Sequence, residues 1–170
     1  MASPGNQAKV AVYGALAIGL YTIENLLPSP FPWLRLGLAN VAVVLALYQV
    51  GIGGAWMVFL LKLVVGSSLV GRFLTPFFWF AAVGGTVSLC LMTLTKLALG
   101  RVVKIVGTSI IGGFAHNVAQ LTLARLLLVP SSSVWLLLPV LGILGIGTGM
   151  VVGIVARLVQ LRLDRPAISH

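Results

Sequence analysis

Six long apolar runs occupy most of this 170-residue chain, and short segments rich in proline, glycine or arginine separate them. Each run approaches the roughly 20 apolar residues that a helix needs to cross the hydrocarbon core of a bilayer. Lipid-facing strands would alternate apolar and polar residues instead, so the runs predict helices. We therefore expect an all-α integral membrane protein, a compact bundle of about six transmembrane helices in one domain, residues 1–170.

The breaks between the runs predict where the helices end. Pro28, Pro30 and Pro32 end the first run, because proline lacks the amide hydrogen and clashes with a continuing helix. The second and third runs are short, which leaves open whether they are full spans or partly buried helices. The predicted spans lie at about 8–27, 33–50, 55–70, 75–99, 105–129 and 134–161.

The composition excludes a water-soluble domain. Charged residues make up only 8% of the chain, whereas soluble domains carry about 25%, and the mean hydropathy of +1.14 agrees with lipid surroundings. A net charge of +9 would suggest nucleic acid in a soluble protein. Here the cations lie between the apolar runs and leave no basic face, so we expect membrane lipid and no nucleic acid as partners.

The same cations predict the orientation of the chain. Cytoplasmic loops of membrane proteins carry an excess of Lys and Arg. With six spans and cytoplasmic N and C termini, Arg35 and Arg72 are the only cations in loops on the outer side of the membrane. This distribution predicts a multi-pass protein of the inner (cytoplasmic) membrane with both termini in the cytoplasm. The inner side then carries Lys9, Lys96, Arg101, Lys104, Arg157, Arg162 and Arg165.

Residues for metal or acid–base catalysis are sparse. Glu24 and Asp164 are the two acidic side chains, Cys90 is the single cysteine, and His116 and His170 are far apart. Diphosphate chemistry on Mg²⁺ uses clustered carboxylates, and zinc sites use closely spaced Cys and His. We therefore predict no enzyme activity, no catalytic residues, no metal and no cofactor.

Polar side chains inside the spans gather in the predicted outer half of the bundle, where each needs a reason because it is costly in lipid. Arginine outnumbers acid there, which favours an anionic ligand such as a phosphate or carboxylate. Lys62 and Arg125 also fall inside spans, and the sequence leaves open whether they face a pocket. The candidate substrate-binding residues are Glu24, Asn25, Arg35, Asn40, Arg72, His116, Asn117 and Gln120.

Structural interpretations of these residues stay open as well. Arg35 and Arg72 would reach lipid headgroups by snorkelling. Glu24 would neutralise Lys62 or an arginine, and His116 would be a satisfied packing residue.

A stripe of small residues marks the predicted inner half of the first span. Ala11, Ala15 and Gly19 are spaced by four, so they share one helix face. Small residues allow membrane helices to approach closely. The stripe therefore predicts either packing inside the bundle or a face on which a partner docks.

Four motifs together resemble a known family along nearly the whole chain. The motifs are LYTIENLLP (residues 20–28), RLGLAN (35–40), GRF (71–73) and GGFAHNVAQ (112–120). They resemble the family labelled heptaprenyl diphosphate synthase component I, or Gx transporter. This family is similar to the S components of energy-coupling-factor (ECF) transporters, which implies an S-component-like fold of six helices.

The resemblance also implies a function. S components bind a vitamin-like ligand near the outer face and dock on a transmembrane coupling subunit that works with ATPases. Ala11 and Ala15 match their docking motif. The chain is then expected to be the substrate-binding subunit of a transporter for a small, anionic, vitamin-like, flavin- or quinone-related metabolite.

Two other interpretations stay open. The first is a non-catalytic membrane component of heptaprenyl diphosphate or isoprenoid quinone synthesis, since the chain lacks the aspartate-rich motifs of a prenyl synthase. The second is an autonomous transporter, which ranks last because Glu24 is the only candidate for an intramembrane carboxylate relay.

Overall fold

Six helices build the part of the chain that the computed structural model describes, which is residues 4–26, 37–128 and 131–164. A 3₁₀ turn at Ser132–Leu137 leads into the last helix, and these ranges contain no strand. The predicted all-helical bundle is therefore confirmed. The helices are α1 (Pro4–Leu26), α2 (Ala39–Gln49), α3 (Ile52–Leu69), α4 (Pro76–Leu99), α5 (Ile105–Leu127) and α6 (Leu138–Leu163).

The helices are long and apolar, as in a multi-pass membrane protein. Within the described ranges, Ile52–Leu69, Pro76–Leu99 and Ser132–Leu163 are each long and apolar enough to cross a bilayer. Helices α1 and α5 have 23 residues each, about 34 Å at 1.5 Å per residue, which also matches a bilayer. These two helices carry most of the polar side chains of the predicted site.

Helix α2 forms the buried core of the bundle. Every side chain from Val41 to Leu47 is at most 4% exposed, as expected for an apolar helix that other helices surround. Its 11 residues span only about 16 Å, roughly half of the hydrocarbon thickness. The predicted second span is therefore too long: residues 37–38 are not helical, and residues 33–36 lie outside the described ranges.

Charged side chains from other helices cap both ends of α2. The Glu24 carboxylate accepts hydrogen bonds from the backbone N–H groups of Leu38 (2.8 Å) and Ala39 (3.2 Å). At the other end, Lys96 Nζ donates to the Leu47 carbonyl at 2.5 Å. Helix ends carry unpaired N–H and C=O groups, which must be satisfied inside a membrane. We name the two ends of the bundle the Glu24 end and the Lys96 end after these caps.

Glycines allow α5 and α6 to pack with their backbones close together. A Cβ atom added to Gly113, Gly145, Gly149 or Gly153 would lie closer than 3.0 Å to backbone atoms of the facing helix. Larger residues at these positions would force the helices apart, and membrane helices rely on such close packing because lipid weakens the hydrophobic drive between them.

Candidate substrate-binding site

A cavity of about 100 Å³ lies inside the bundle, and all six helices contribute to its wall. One water molecule needs about 10–15 Å³ of such space, so the cavity has room for several waters or for polar groups of a small molecule. Lys62 also lines the cavity; the sequence had left open whether it faces a pocket. The predicted residues that line it are Glu24, Asn40, Arg72, His116, Asn117 and Gln120.

Two other polar residues from the described spans, Asn25 and Arg125, are not among the cavity-lining residues. Asn25 donates from Nδ2 to the Tyr21 carbonyl of its own helix at 2.6 Å. The Arg125 guanidinium lies 5.5 Å from the ring centroid of Trp135, on the outside of the cavity. Arg35 lies outside the described residues.

Glu24 is positioned by a tight turn before α2. Gly37 has a φ of 73°, a conformation that glycine adopts without steric cost, and its carbonyl accepts from the Asn40 N–H at 2.8 Å. This turn directs the first N–H groups of α2 at the buried Glu24 carboxylate. An anion at a helix N-terminus is favourable, because the aligned peptide dipoles leave partial positive charge there. Glu24 therefore stabilises the wall of the cavity, whatever else it contacts.

Lys62 is buried at the start of a π-helical turn, Lys62–Gly66, within α3. Its Nζ donates to Asn40 Oδ1 at 2.6 Å and lies 5.4 Å from the ring centroid of Phe59. An ammonium group has three donors, so two remain for other acceptors besides Asn40. Single π turns occur frequently at functional sites. The arrangement holds a cation in place on the cavity wall.

Arg72 lies in the turn between α3 and α4. Its guanidinium stacks over the ring of Phe77, 4.9 Å from the centroid, and the Thr75 hydroxyl donates to the Arg72 carbonyl at 2.6 Å. A guanidinium held against an aromatic face can bind a planar anion through its N–H fork.

Three side chains of α5 line the cavity from the opposite wall. Asn117 Nδ2 donates to the Leu141 carbonyl of α6 at 2.8 Å, and Gln120 Nε2 to the Phe80 carbonyl of α4 at 3.4 Å. His116 packs against Gly84, where a Cβ would come within 3.0 Å of its ring. His116 Nδ1 is buried and has no hydrogen-bond partner among the described residues. A buried polar atom of this kind calls for a partner such as a water or ligand.

The chain matches the family model described as heptaprenyl diphosphate synthase component I over residues 13–159. It belongs to that family. The solved structure of the S component of a bacterial ECF transporter is similar, with a TM-score of 0.67 and 19% sequence identity. The alignment covers 92% of this chain and 96% of that one. At this identity the likeness establishes an S-component-like fold. No curated protein matches the sequence at a significant level.

This member of the heptaprenyl diphosphate synthase component I family also lines its cavity with residues that its sequence did not single out. Tyr21, Phe77 and Phe80 supply aromatic surface, and Ser88 and Ser109 supply hydroxyls. Serine and aromatic residues are common inside helices and mostly bond to their own backbone or pack in the core. Their positions in the sequence therefore carried no signal.

The small-residue stripe of α1 does not pack inside the bundle. Ala11, Ala15 and Gly19 are all exposed, and a Cβ on Gly19 would find nothing within 4 Å. The bundle-facing side of α1 carries Tyr13 and Ala17 instead.

Proposed function

We propose that this protein is the substrate-binding subunit of a membrane transporter and that its cavity takes a small anionic metabolite. The observation that carries the proposal is Lys62, a buried ammonium group on the wall of an internal cavity that all six helices form. An ionisable side chain inside a membrane bundle is costly and typically marks a substrate or ion pathway. The S-component-like fold supports the same function, which is binding without catalysis.

The charges around the cavity favour a ligand with a carboxylate or phosphate. Lys62 and Arg72 line it together with a single described carboxylate, Glu24. Both oxygens of Glu24 already accept hydrogen bonds from the N-terminus of α2. The two cations therefore retain donors for a further anion, and charge-assisted hydrogen bonds of this kind are roughly twice as strong as neutral ones.

The other walls favour a ligand that also has a flat or polar part. Tyr21 and Phe80 supply aromatic surface to the cavity, and Asn117 and Gln120 supply amides. Such a ligand fits the vitamin-like, flavin- or quinone-related class that the sequence resemblance implies.

The exposed stripe of α1 supports docking of a transmembrane coupling subunit, which would work with ATPases. Ala11, Ala15 and Gly19 leave a shallow strip on which another helix can approach closely. We propose that the Glu24 end faces the outside of the cytoplasmic membrane and that both termini lie in the cytoplasm, as the distribution of Lys and Arg favours.

The proposal is tested by mass spectrometry of small molecules that co-purify with the protein. An anionic, vitamin-like, flavin- or quinone-related compound at near-stoichiometric amount is the expected result. A polyprenyl diphosphate would instead favour the alternative function, a non-catalytic component of isoprenoid synthesis, which the family description suggests.

Docking is tested separately with the double variant Ala11→Leu/Ala15→Leu. We expect it to lose co-purification of the coupling subunit and ATPases, because the leucine side chains fill the strip. Retention of the small molecule shows that the variant is folded. A matched control, Val12→Ala, changes an exposed neighbour on α1 without adding bulk. Unchanged co-purification of the partners in the double variant would contradict the docking proposal.

A further inference from the structure

The cavity continues past the charged residues towards the Lys96 end. Ser88 and Met92 of α4, Ser109 of α5 and Val152 of α6 line this deeper part. Depth can be counted from the turn that joins α3 to α4. Ser88 lies twelve residues into α4, about 18 Å from this turn at 1.5 Å per residue. Lys62 lies seven residues before the end of α3, about 10 Å from the same turn. The deeper part therefore begins about 8 Å below Lys62, since α3 and α4 run in opposite directions.

Two serine hydroxyls in this deeper part have no hydrogen-bond partner within the described ranges. Ser88 is 7% exposed and Ser109 is 3% exposed, and neither hydroxyl forms a hydrogen bond with another described residue. Helical serines usually donate to the carbonyl four residues earlier. Ser67 does so with Leu63, and Ser68 with Val64 at 2.8 Å. Both serines line the cavity, so a polar group inside it can reach the two hydroxyls.

The residues around the two serines are uncharged, and several are glycines, whose missing side chains leave space in the cavity. A Cβ on Gly112 would lie 3.0 Å from Ser88 Oγ, and Gly113 and Gly149 line the cavity alongside. The charged lining residues, in contrast, all belong to the Glu24 end. A hydroxyl is both donor and acceptor, so the pair suits a neutral polar group better than a second ionised one.

We infer that Ser88 and Ser109 form a second, deeper subsite that binds a hydroxyl or carbonyl group at the far end of an elongated ligand. The inference rests on the proposed function, because it takes the anionic group of that ligand to lie at Lys62 and Arg72. It also specifies the ligand class: an anion at one end, a neutral hydrogen-bonding group at the other, and a slender body between them.

Synthetic probes test the subsite directly. Calorimetry in lipid nanodiscs compares the binding of alkyl phosphates with that of the same phosphates carrying a terminal hydroxyl. Chains of roughly six to ten carbons are used, so that the probe can reach across the ~8 Å between the two parts of the cavity. At the matching length, the hydroxyl should tighten binding by about tenfold, the effect of one or two net hydrogen bonds.

Serine variants assign that advantage to the subsite. In Ser88→Ala/Ser109→Ala the advantage of the terminal hydroxyl should vanish, while the plain alkyl phosphate should bind as before. The matched control is Ser67→Ala, a buried serine that bonds to its own helix and does not line the cavity, and it should keep the advantage. Equal binding of the two probes at every length, or an advantage that survives in the double variant, would overturn the inference.

Cysteine labelling gives a readout that does not depend on the anion. In a Cys90→Ala background, which removes the exposed native thiol, Ser88→Cys should react with the lipid-impermeant reagent 2-sulfonatoethyl methanethiosulfonate in nanodiscs. Val87→Cys, on the exposed face of the same turn of α4, should not. An unreactive Ser88→Cys would overturn the deep subsite. If labelling succeeds but no alkyl phosphate binds, the subsite stands and the proposed anion specificity fails.

Discussion

The two ends of α2 are stabilised by the same kind of contact but lie in different surroundings. At one end Glu24 accepts from two backbone N–H groups, and at the other Lys96 donates to the Leu47 carbonyl. Glu24 lines the cavity beside Asn40 and Lys62, whereas Lys96 does not line it and lies 5.0 Å from the ring centroid of Tyr48. A charged side chain within the membrane is therefore not by itself evidence of a ligand site.

The difference between the two ends lies in the donors that remain free. Lys96 completes a helix end and packs against an aromatic ring, so its contacts account for its presence there. At the Glu24 end the helix cap is complete as well, yet Lys62 and Arg72 line the cavity with donors that no described residue accepts. Under the proposed function Lys96 contributes to stability and Lys62 to binding, and variants at the two ends separate these roles.

The largest expected effect is that of Glu24→Ala on stability. Loss of the carboxylate leaves two buried N–H groups of α2 without acceptors, which should lower the free energy of unfolding by about 3 kcal/mol. The measurement is unfolding in mixed micelles with increasing denaturing detergent. Glu24→Gln keeps one acceptor oxygen and should lose about half as much. Equal losses in the two variants would mean that the cap of α2 is not what Glu24 contributes.

A smaller effect is expected from Lys62→Gln on retention of the co-purifying small molecule. Removal of one charge-assisted hydrogen bond should weaken binding about 30-fold, about 2 kcal/mol. Mass spectrometry of the purified variant measures the retained amount per protein. Arg125→Gln is the matched control, because Arg125 does not line the cavity, and it should retain the wild-type amount. Wild-type retention in Lys62→Gln would remove Lys62 from the site.

The smallest expected effect is that of Lys96→Met, which keeps the length of the side chain and removes the donor to Leu47. The free energy of unfolding should fall by about 1 kcal/mol, since one helix carbonyl loses a partner. Retention of the small molecule should not change. A variant that keeps its stability but releases the molecule would reverse the roles of the two ends, and would make Lys96 part of the binding site.

The class of the protein follows from its amino-acid sequence alone. The length of the apolar runs and the scarcity of charge require lipid surroundings, and the proline and glycine breaks separate six helices. The polar residues of the spans also lie at matching depths, which is why six of the eight predicted site residues line one cavity. That they bind a substrate stays a prediction.

The direction in which each side chain faces depends on how the helices pack. The helices of a membrane bundle are apolar nearly all round, so the pattern of hydrophobic residues does not fix their rotation. Asn25 thus turns back to its own helix and Arg125 to Trp135, while the π turn of α3 brings Lys62 to Asn40.

The same limit applies to α2 and to the serines. A half-length helix is stable inside a membrane only if other residues cap its ends. Glu24 and Lys96 are both distant in sequence from the end of α2 that they cap. Whether a helical serine bonds to its own backbone or turns into a cavity depends on what packs beside it. At Ser88 the absence of a side chain on Gly112 provides that space, and only the packing of α4 against α5 brings the two together.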